Sequence, residues 1–559
     1  MKLICTFLMC SIFEVYAIYI YKVTTSQGTV QGDFYRNKDG KSYDYFLGIP
    51  YAQAPTGKNR FMSPESPKYF TYHDGRKDPN MCVQAPTSTS SPVGNEDCLY
   101  LSIYSPSVPT SEKHTNLKNP KYPVMVWFHD GKFDKGSGNY GNVRPDYLVH
   151  KGVVVVTVNY RLGVFGFLSF GNKQLPGNMG LKDQVKALKW VNEEIENFGG
   201  DKTKITVFGS GSGAASIHYL ILCESCRSLF QRAILQSGSA HNPWALQRQP
   251  LEEAKKLLKK VNINTYDDAN AKVYLSLLQG STANQYSSGN LLKSSIDITT
   301  QKGKTMNLSP FLPVIENDKG SDAIIEKPVK ESSEELKKSK GLQVIIGFNK
   351  DEGINFANEN IGVINYSDEV LALFLPNDSK DTTSKEQCVQ LLNKAYFDKS
   401  LSENEKKGQF VNMIGDAHYI YGIYQTAKEF ANAGITTYFY RFSYEDNDYT
   451  TSSYKNLRGV PHGAEYKYLF RPKDDFFGSG GANHLSNQND RNVQENILNM
   501  WKSFADNGNP TPNKLPAEWK PLDKGVISYL DIGQTLKMKN MDEQSRMSTW
   551  DKIMAECKN

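Results

Sequence analysis

Short apolar runs bounded by turn residues recur along this chain and predict buried β-strands. The runs are rich in Val, Ile and aromatic residues, which suit a pleated and buried surface. They cover residues 124–128, 153–158, 205–208, 344–346 and 437–442. Between several of them lie helical patterns, of which 183–198 is an example that ends at a Gly-Gly pair. Strands that alternate with helices predict an α/β fold with a large, mostly parallel, twisted sheet flanked by helices.

Length and composition predict one large domain. The chain has 559 residues, of which 39% are hydrophobic and 22% are charged, as in an ordinary globular protein. No linker, internal repeat or low-complexity block divides residues 18–559. The net charge of +5 is small for this length, and the lysine cluster within 255–260 fits the solvated face of a helix. We therefore expect no nucleic-acid partner.

The N-terminus predicts a secretory signal peptide over residues 1–17. Lys2 precedes an apolar stretch over 3–13, and Val15 and Ala17 supply small residues for cleavage. Glu14 ends the stretch well short of the ~20 apolar residues that span a membrane, and the last forty residues hold no such run. The expected protein is secreted and extracellular, without a membrane anchor.

Cysteines and sequons agree with an extracellular location. Six cysteines follow the predicted cleavage point, and disulfides are the default expectation in that compartment; they are Cys82, Cys98, Cys223, Cys226, Cys388 and Cys557. Three sequons predict N-glycosylation at Asn307, Asn365 and Asn377. The Cys223–Cys226 pair ends a helical pattern, which disfavours a thioredoxin-like site, and no second ligand pair suggests zinc. It could close locally or bridge to Cys388 and Cys557, and we expect no metal or cofactor.

A glycine-rich turn after the strand at 205–208 resembles the nucleophile elbow of α/β-hydrolases. That elbow reads Gly-x-Ser-x-Gly, with the reactive serine on a strained turn between strand and helix. Here Gly209 and Gly213 hold the outer positions, but the central residue is Gly211. The chain therefore lacks a hydroxyl where a serine hydrolase has its nucleophile.

Three further segments complete the pattern of such a site. In the hydrolase layout the loop after the strand at 124–128 donates backbone N–H groups to the oxyanion, which here assigns that role to Gly131, Lys132 and Ser212. Asp130 and Lys132 stand at glycine positions of this loop, so donor geometry is expected to suffer and Asp130 to oppose an oxyanion. Glu352 and His462 follow in the order acid then histidine, as in a hydrolase triad.

Taken together, these segments resemble the type-B carboxylesterase/cholinesterase family over nearly the whole mature chain. The matching stretches lie at 46–52, 95–101, 159–167, 177–184, 198–201 and 236–239 and around Glu352 and His462. The resemblance implies an α/β-hydrolase fold with a deep gorge and a first disulfide between Cys82 and Cys98. It also implies two structural ion pairs, Arg60–Glu96 and Arg161–Asp183.

Departures from the family pattern decide the expected function. Family members read Phe-Gly-Glu-Ser-Ala-Gly where this chain has Phe208-Gly-Ser-Gly-Ser-Gly. Residues 83–97 contain no aromatic side chain to bind a quaternary ammonium, so a choline ester is a poor substrate. We expect a catalytically inactive protein that binds an apolar small molecule or an extracellular protein. Two alternatives keep ester hydrolysis, either by a displaced serine, Ser212 or Ser210, or by water that His462 activates above Gly211.

Overall fold

A computed structural model describes most of the chain. It covers residues 21–37, 40–85, 92–109, 121–281, 309–317, 320–359, 366–376, 382–397, 400–446, 457–471, 485, 487–511, 515, 517–525 and 527–556. The predicted signal peptide and the sequons at Asn307, Asn365 and Asn377 lie outside these residues, as does Cys557. Among the helices within them, none is long and apolar enough to cross a membrane.

The strands of the described chain form one large and one small sheet. They are β1 Lys22–Thr25, β2 Gly28–Gln31, β3 Asp33–Arg36, β4 Ser42–Pro50, β5 Tyr72–Asp74, β6 Tyr100–Ser105, β7 Tyr122–Phe128, β8 Val154–Val158, β9 Gly200–Ser210, β10 Arg232–Gln236, β11 Gln343–Asn349, β12 Thr436–Phe442, β13 Ser528–Ile532 and β14 Leu536–Asn540. The large sheet has 11 strands in the order β14-β13-β12-β11-β10-β9-β7-β8-β6-β4-β3. The small sheet contains β1, β2 and β5.

Six neighbouring pairs at the centre of the large sheet are parallel, from β13 through β12, β11, β10, β9 and β7 to β8. Antiparallel strands complete both edges. This arrangement confirms the predicted fold class. The five apolar runs form parts of β7, β8, β9, β11 and β12 of the large sheet, although the run at 153–158 begins one residue before β8.

Helices cover both faces of this sheet. The α-helices are Asp146–His150, Gly163–Phe167, Met179–Glu194, Ser212–Leu222, Pro250–Lys260, Ala271–Gly280, Ser333–Lys337, Ile354–Glu359, Asp368–Ala372, Thr382–Tyr396, Glu403–Gly415, Tyr421–Ala433, Tyr466–Leu469, Gln488–Asn507 and Gln544–Glu556. A π-helical turn, Asp416–Ile420, joins two of them, and single 3-10 turns are Gly57–Asn59, Ile195–Phe198, Arg227–Leu229, Pro243–Ala245, Asp268–Asn270 and Val329–Glu331. The helix predicted over 183–198 begins earlier, at Met179, and its last turn is the 3-10 turn that ends at Phe198.

The core consists of two apolar layers separated by the large sheet. Along β8, Val154 and Val156 belong to one layer and Val155 to the other, because successive strand residues point to opposite faces. All three are fully buried. A sheet buried on both faces explains why its central strands read as continuous apolar runs.

The covalent and ionic links implied by the family resemblance are present. Cys82 and Cys98 form a disulfide, and Arg60 binds Glu96 through two side-chain hydrogen bonds of 2.5 and 2.6 Å. Arg161 likewise makes two bonds to Asp183, at 2.7 and 2.8 Å, and both side chains are buried.

The Cys223–Cys226 pair closes locally as a disulfide, which selects one of the alternatives left open by the sequence. Cys388 also belongs to a disulfide.

Candidate functional site

The elbow keeps its strained backbone although its central side chain is gone. Gly211 follows the last residue of β9 and precedes the helix Ser212–Leu222, with φ +48° and ψ −114°. This positive φ is one that residues with a Cβ rarely adopt, and holding it costs such a residue about 1–3 kcal/mol. The last residue of β10 holds the turn in place, because the Gly211 N–H donates to the Gln236 carbonyl at 2.9 Å.

The carboxylate of Asp130 fills the space in which a side chain of residue 211 would begin. A Cβ built on Gly211 would lie 2.2 Å from Asp130 Oδ1, 2.4 Å from its Cγ and 2.6 Å from its Oδ2. These separations are far inside van der Waals contact. Asp130 in this position and a serine at 211 therefore exclude one another.

Asp130 also takes the hydrogen bond that a serine nucleophile would make to the catalytic histidine. His462 Nε2 lies 2.9 Å from Asp130 Oδ2, and His462 Nδ1 lies 2.7 Å from Glu352 Oε2. The second carboxylate is fixed in turn, because Glu352 Oε1 accepts the Asn349 N–H at 2.8 Å. The result is a chain of acid, imidazole and acid in place of the acid, imidazole and hydroxyl of a hydrolase.

Backbone donors expected to stabilise an oxyanion point at the same carboxylate. The Ser212 N–H donates to Asp130 Oδ1 at 2.9 Å, and the Ser212 hydroxyl donates to that oxygen at 3.1 Å. The Gly131 N–H also acts to lower the pKa of this carboxyl. The oxyanion position is therefore occupied by an anion that belongs to the protein.

His462 and Asp130 stabilise one another's charged forms. Burial lowers the pKa of His462, but Tyr419, Glu352 and Asp130 outweigh that effect and hold the pKa well above its usual range. Burial raises the pKa of Asp130, but the hydrogen bond and charge of His462 and the Ser212 and Gly131 amides hold it well below normal. The resting site thus contains an imidazolium between two carboxylates, whereas a hydrolase base must be neutral to accept a proton.

The loop that carries Asp130 is anchored by its neighbour His129. The His129 ring stacks on Tyr160 with centroids 4.3 Å apart, and the Tyr160 hydroxyl donates to the His129 carbonyl at 2.7 Å. Burial lowers the pKa of His129 to about 4, so its ring is neutral at ordinary pH. Its Nδ1 lies 2.8 Å from the Asp130 carbonyl oxygen and donates to it. These contacts aim the Asp130 side chain at the elbow.

Lys132 differs from the sequence-based expectation in one respect. A Cβ was expected to deny this loop the positive φ angles that glycine allows, yet Lys132 has φ +59° and the next residue, Phe133, has φ +63°. The fully buried Phe133 ring, which packs on Phe167 with centroids 5.1 Å apart, offsets the strain. The Ser212 donor is therefore unavailable because Asp130 occupies it, and not because Lys132 distorts the loop.

The two displaced serines lie in different environments. The Ser212 hydroxyl is nearly fully buried and is bound to Asp130. Ser210 is the last residue of β9 and is fully buried. Solvent reaches the side chain of Asp130, which is 21% exposed, and that of His462, which is 14% exposed.

The sequence assigned Glu352, His462, Gly211, Gly131 and Ser212 to one site, and the structure brings them together. What it missed is the contact between Asp130 and His462, which are far apart in the chain. The sequence did hold a signal for this contact. An acidic residue, Asp130, stands at a glycine position of the oxyanion loop, and a glycine, Gly211, stands at the serine position of the elbow.

An 11-stranded, mostly parallel sheet with a strand–elbow–helix turn and an acid–histidine pair at its carboxyl edge defines an α/β-hydrolase architecture. The family model described as "Carboxylesterase family" matches residues 21–550, and the chain belongs to this family.

Several characterised relatives align over most of the chain. It is 33% identical to a juvenile hormone esterase of Tribolium castaneum over 90% of this chain and 86% of the relative. It is 31% identical to esterase FE4 of Myzus persicae, with 94% and 92% covered. It is also 30% identical to neuroligin-3 of Mus musculus, with 91% and 66% covered.

Proposed function

We propose that this chain is a secreted carboxylesterase-family protein that has lost serine-hydrolase activity and binds an apolar small molecule or an extracellular protein. The observation that supports this proposal is the position of the Asp130 carboxylate. It occupies the place of the serine nucleophile and forms the hydrogen bond to His462 that the serine would make. Family membership alone leaves the activity open, because the relatives carry esterase names in two cases and a name without a reaction in the third.

Asp130 also argues against the two alternatives that retain ester hydrolysis. A displaced Ser212 nucleophile needs a neutral base within reach, but its hydroxyl donates to Asp130 and His462 is held as an imidazolium. A water above Gly211 would have to occupy the space that the carboxylate fills. Both routes also lack free oxyanion donors, each of which supplies about 2.7–4 kcal/mol of transition-state stabilisation.

The purified protein is expected to hydrolyse short-chain 4-nitrophenyl and naphthyl esters no faster than background. Loss of a nucleophilic serine lowers kcat by about 10⁶-fold, so an ordinary rate of about 10 s⁻¹ falls below detection. Fluorophosphonate labelling should likewise leave Ser210 and Ser212 unmodified. The matched variants Ser210→Ala and Ser212→Ala serve as controls. A rate above about 1 s⁻¹ that disappears in only one of them would identify a working nucleophile and overturn the proposal.

Ligand binding is expected to survive the loss of chemistry, because the elbow, the oxyanion loop and the Glu352–His462 pair remain ordered around the site. A ligand present at 100 times its Kd adds about 2.7 kcal/mol to the free energy of unfolding. Thermal unfolding against apolar esters, fatty acids and terpenoids should therefore reveal at least one compound that raises Tm by several degrees. If no compound in the panel does so, recognition of a protein partner at the surface becomes the favoured function.

A further inference from the structure

We propose that this protein has a second binding site, separate from the elbow, and that this site takes a monocarboxylic acid with an apolar body. The site is a cavity of about 410 Å³, within the range of about 300–1,000 Å³ that is typical of small-molecule sites. No residue of the elbow, of the oxyanion loop or of the Glu352–His462 pair lines it. The inference therefore goes beyond the function proposed for the elbow.

Five segments that are far apart in the chain enclose this cavity. They are the loop at 240–248 after β10, the chain at Ile315, the turn that includes Val329–Glu331, the helix Tyr421–Ala433 and the C-terminal helix Gln544–Glu556. A ligand held between them would contact parts of the fold that meet only in the folded state. Its binding therefore stabilises the folded protein.

The loop at 240–248 forms a fixed wall of the cavity. The Asn242 side chain donates to the carbonyls of His418 and Tyr419 at 2.8 and 2.9 Å. The Trp244 indole donates to the same His418 carbonyl at 2.8 Å. Because these bonds fix the wall without a ligand, binding does not have to order the loop, and this saving favours affinity.

Apolar side chains make up one part of the lining. Leu246, Ile315 and Met554 are each partly exposed there. Ile315 and Met554 also pack against the larger of the two core layers, so this part of the cavity is continuous with the interior. Covering these side chains removes apolar surface from water, which favours a ligand with an apolar body.

The charged side chains of the lining favour an anionic group on that ligand. Arg248 and Lys330 bring two positive charges and Glu429 brings one negative charge. The Glu429 carboxylate is bound to His241, whose Nε2 lies 2.6 Å from Oε2. Lys330 directly follows the apolar Val329 in one turn, so charged and apolar lining lie side by side. This arrangement complements a ligand with a charged head and an apolar body.

The same lining argues for a single carboxylate rather than another head group. One negative charge balances the single excess positive charge of the arginine, lysine and glutamate side chains. A neutral alcohol or ester would leave that excess unmatched, and an inorganic anion would leave the apolar lining uncovered. The expected class is therefore a medium-chain fatty acid or an acid of similar shape.

The first test compares octanoic acid with 1-octanol by titration calorimetry of the full mature protein near neutral pH. These two probes share an apolar chain and differ in the charge of the head. We expect the acid to bind at a saturable site at least 5-fold more tightly than the alcohol, and added salt to weaken the acid more than the alcohol. Equal affinities, or no saturable binding of the acid, would overturn the proposal.

Two variants should change the affinity for octanoic acid in opposite directions. Lys330→Gln removes a cation and should weaken binding by about 5-fold, the effect of an exposed ion pair. Glu429→Gln removes the acid but keeps an acceptor for His241, and it should tighten binding by a similar factor. Lys202→Gln, at an exposed lysine of β9 outside the cavity, is the matched control and should behave as wild type. Weaker binding by Glu429→Gln, or no effect of Lys330→Gln, would contradict the charge argument.

The position of the ligand distinguishes this site from the elbow. A fatty acid with a diazirine in its chain, activated by light and followed by peptide mass spectrometry, should label residues within 240–248, 328–330 or 421–429, or Ile315 or Met554. Excess octanoic acid should suppress this label. A label confined to residues 129–133 or to the chain around His462 would overturn this inference, while it would support ligand binding at the elbow.

Discussion

Gly211→Ser alone should give a destabilised and inactive protein, whereas Asp130→Gly combined with Gly211→Ser should give a working serine nucleophile. In the single variant the new Cβ would lie 2.2 Å from Asp130 Oδ1, so the carboxylate or the elbow must move. Strain at φ +48° adds about 1–3 kcal/mol. In the double variant the space is clear, and the Ser212 and Gly131 amides are free to stabilise an oxyanion.

The measurement is ester turnover together with fluorophosphonate labelling of the hydroxyl introduced at position 211 in the double variant. Its rate should exceed that of Gly211→Ser by at least 10²–10³-fold, about the value of one oxyanion donor. Asp130→Gly alone, which has the space but no hydroxyl, is the matched control and should stay inactive. The gain is therefore non-additive, as expected for groups in direct contact.

Equal activity of Gly211→Ser and the double variant would show that Asp130 vacates the site readily, contrary to this account. The wider repair that the sequence suggests, with Lys132→Gly, Ser210→Glu and Ser212→Ala added, should improve the double variant further. A double variant that is folded but inert would mean that Glu352 and His462 do not act as a triad pair.

Asp130→Asn should lower the free energy of unfolding by about 3 kcal/mol near pH 5 and by progressively less in alkaline solution. Breaking a buried ion pair by removing one partner costs about 3–5 kcal/mol. The lower end of this range applies because Asp130 is 21% exposed and His462 is 14% exposed. In the variant His462 can also release its proton, which limits the cost.

The pH dependence follows from the directions of the two pKa shifts. The pKa of His462 is raised on folding, so its contribution to stability is complete below the unfolded value of about 6.5 and is lost as pH rises through the folded value. The pKa of Asp130 is lowered, so its contribution is present above about 3.9 and is lost as pH falls through the folded value. The difference between wild type and variant should therefore be largest from about pH 4 to 6.5.

Denaturant unfolding from pH 4 to 9 measures this difference, and Asp523→Asn, an exposed carboxylate, is the control. A gap between wild type and Asp130→Asn that stays constant over the whole range would indicate that the ion pair does not stabilise the fold.

Local patterns were sufficient to predict the frame of this molecule. The apolar runs became β7, β8, β9, β11 and β12, because burial on both faces of a parallel sheet leaves a continuous apolar signature. The elbow was visible because its outer glycines are close in sequence. Glu352 follows a predicted strand, which places it at the carboxyl edge of the sheet, and the order of acid then histidine indicated His462 as its partner.

Local patterns could not show that His462 has Asp130 as its partner, because the two residues are far apart in the chain. Asp130 reaches the elbow, where it also binds Ser212 82 positions away, because β7 and β9 are neighbours in the sheet. Viewed one segment at a time, an acidic loop residue and a missing serine are two independent defects. Only the distance of 2.2 Å between Asp130 Oδ1 and a Cβ at position 211 shows that the carboxylate occupies the volume that a serine would need.

Mutual exclusion at the elbow also constrains the history of this chain. An ancestor with a serine at position 211 could not accept Asp130 in its present place, because the two side chains overlap. A chain with a serine at position 211 could therefore hold Asp130 in its present place only after that serine had been replaced. Because Asp130 is paired with His462, a serine introduced at position 211 alone is unfavourable, and this site can gain a serine nucleophile only when both positions change.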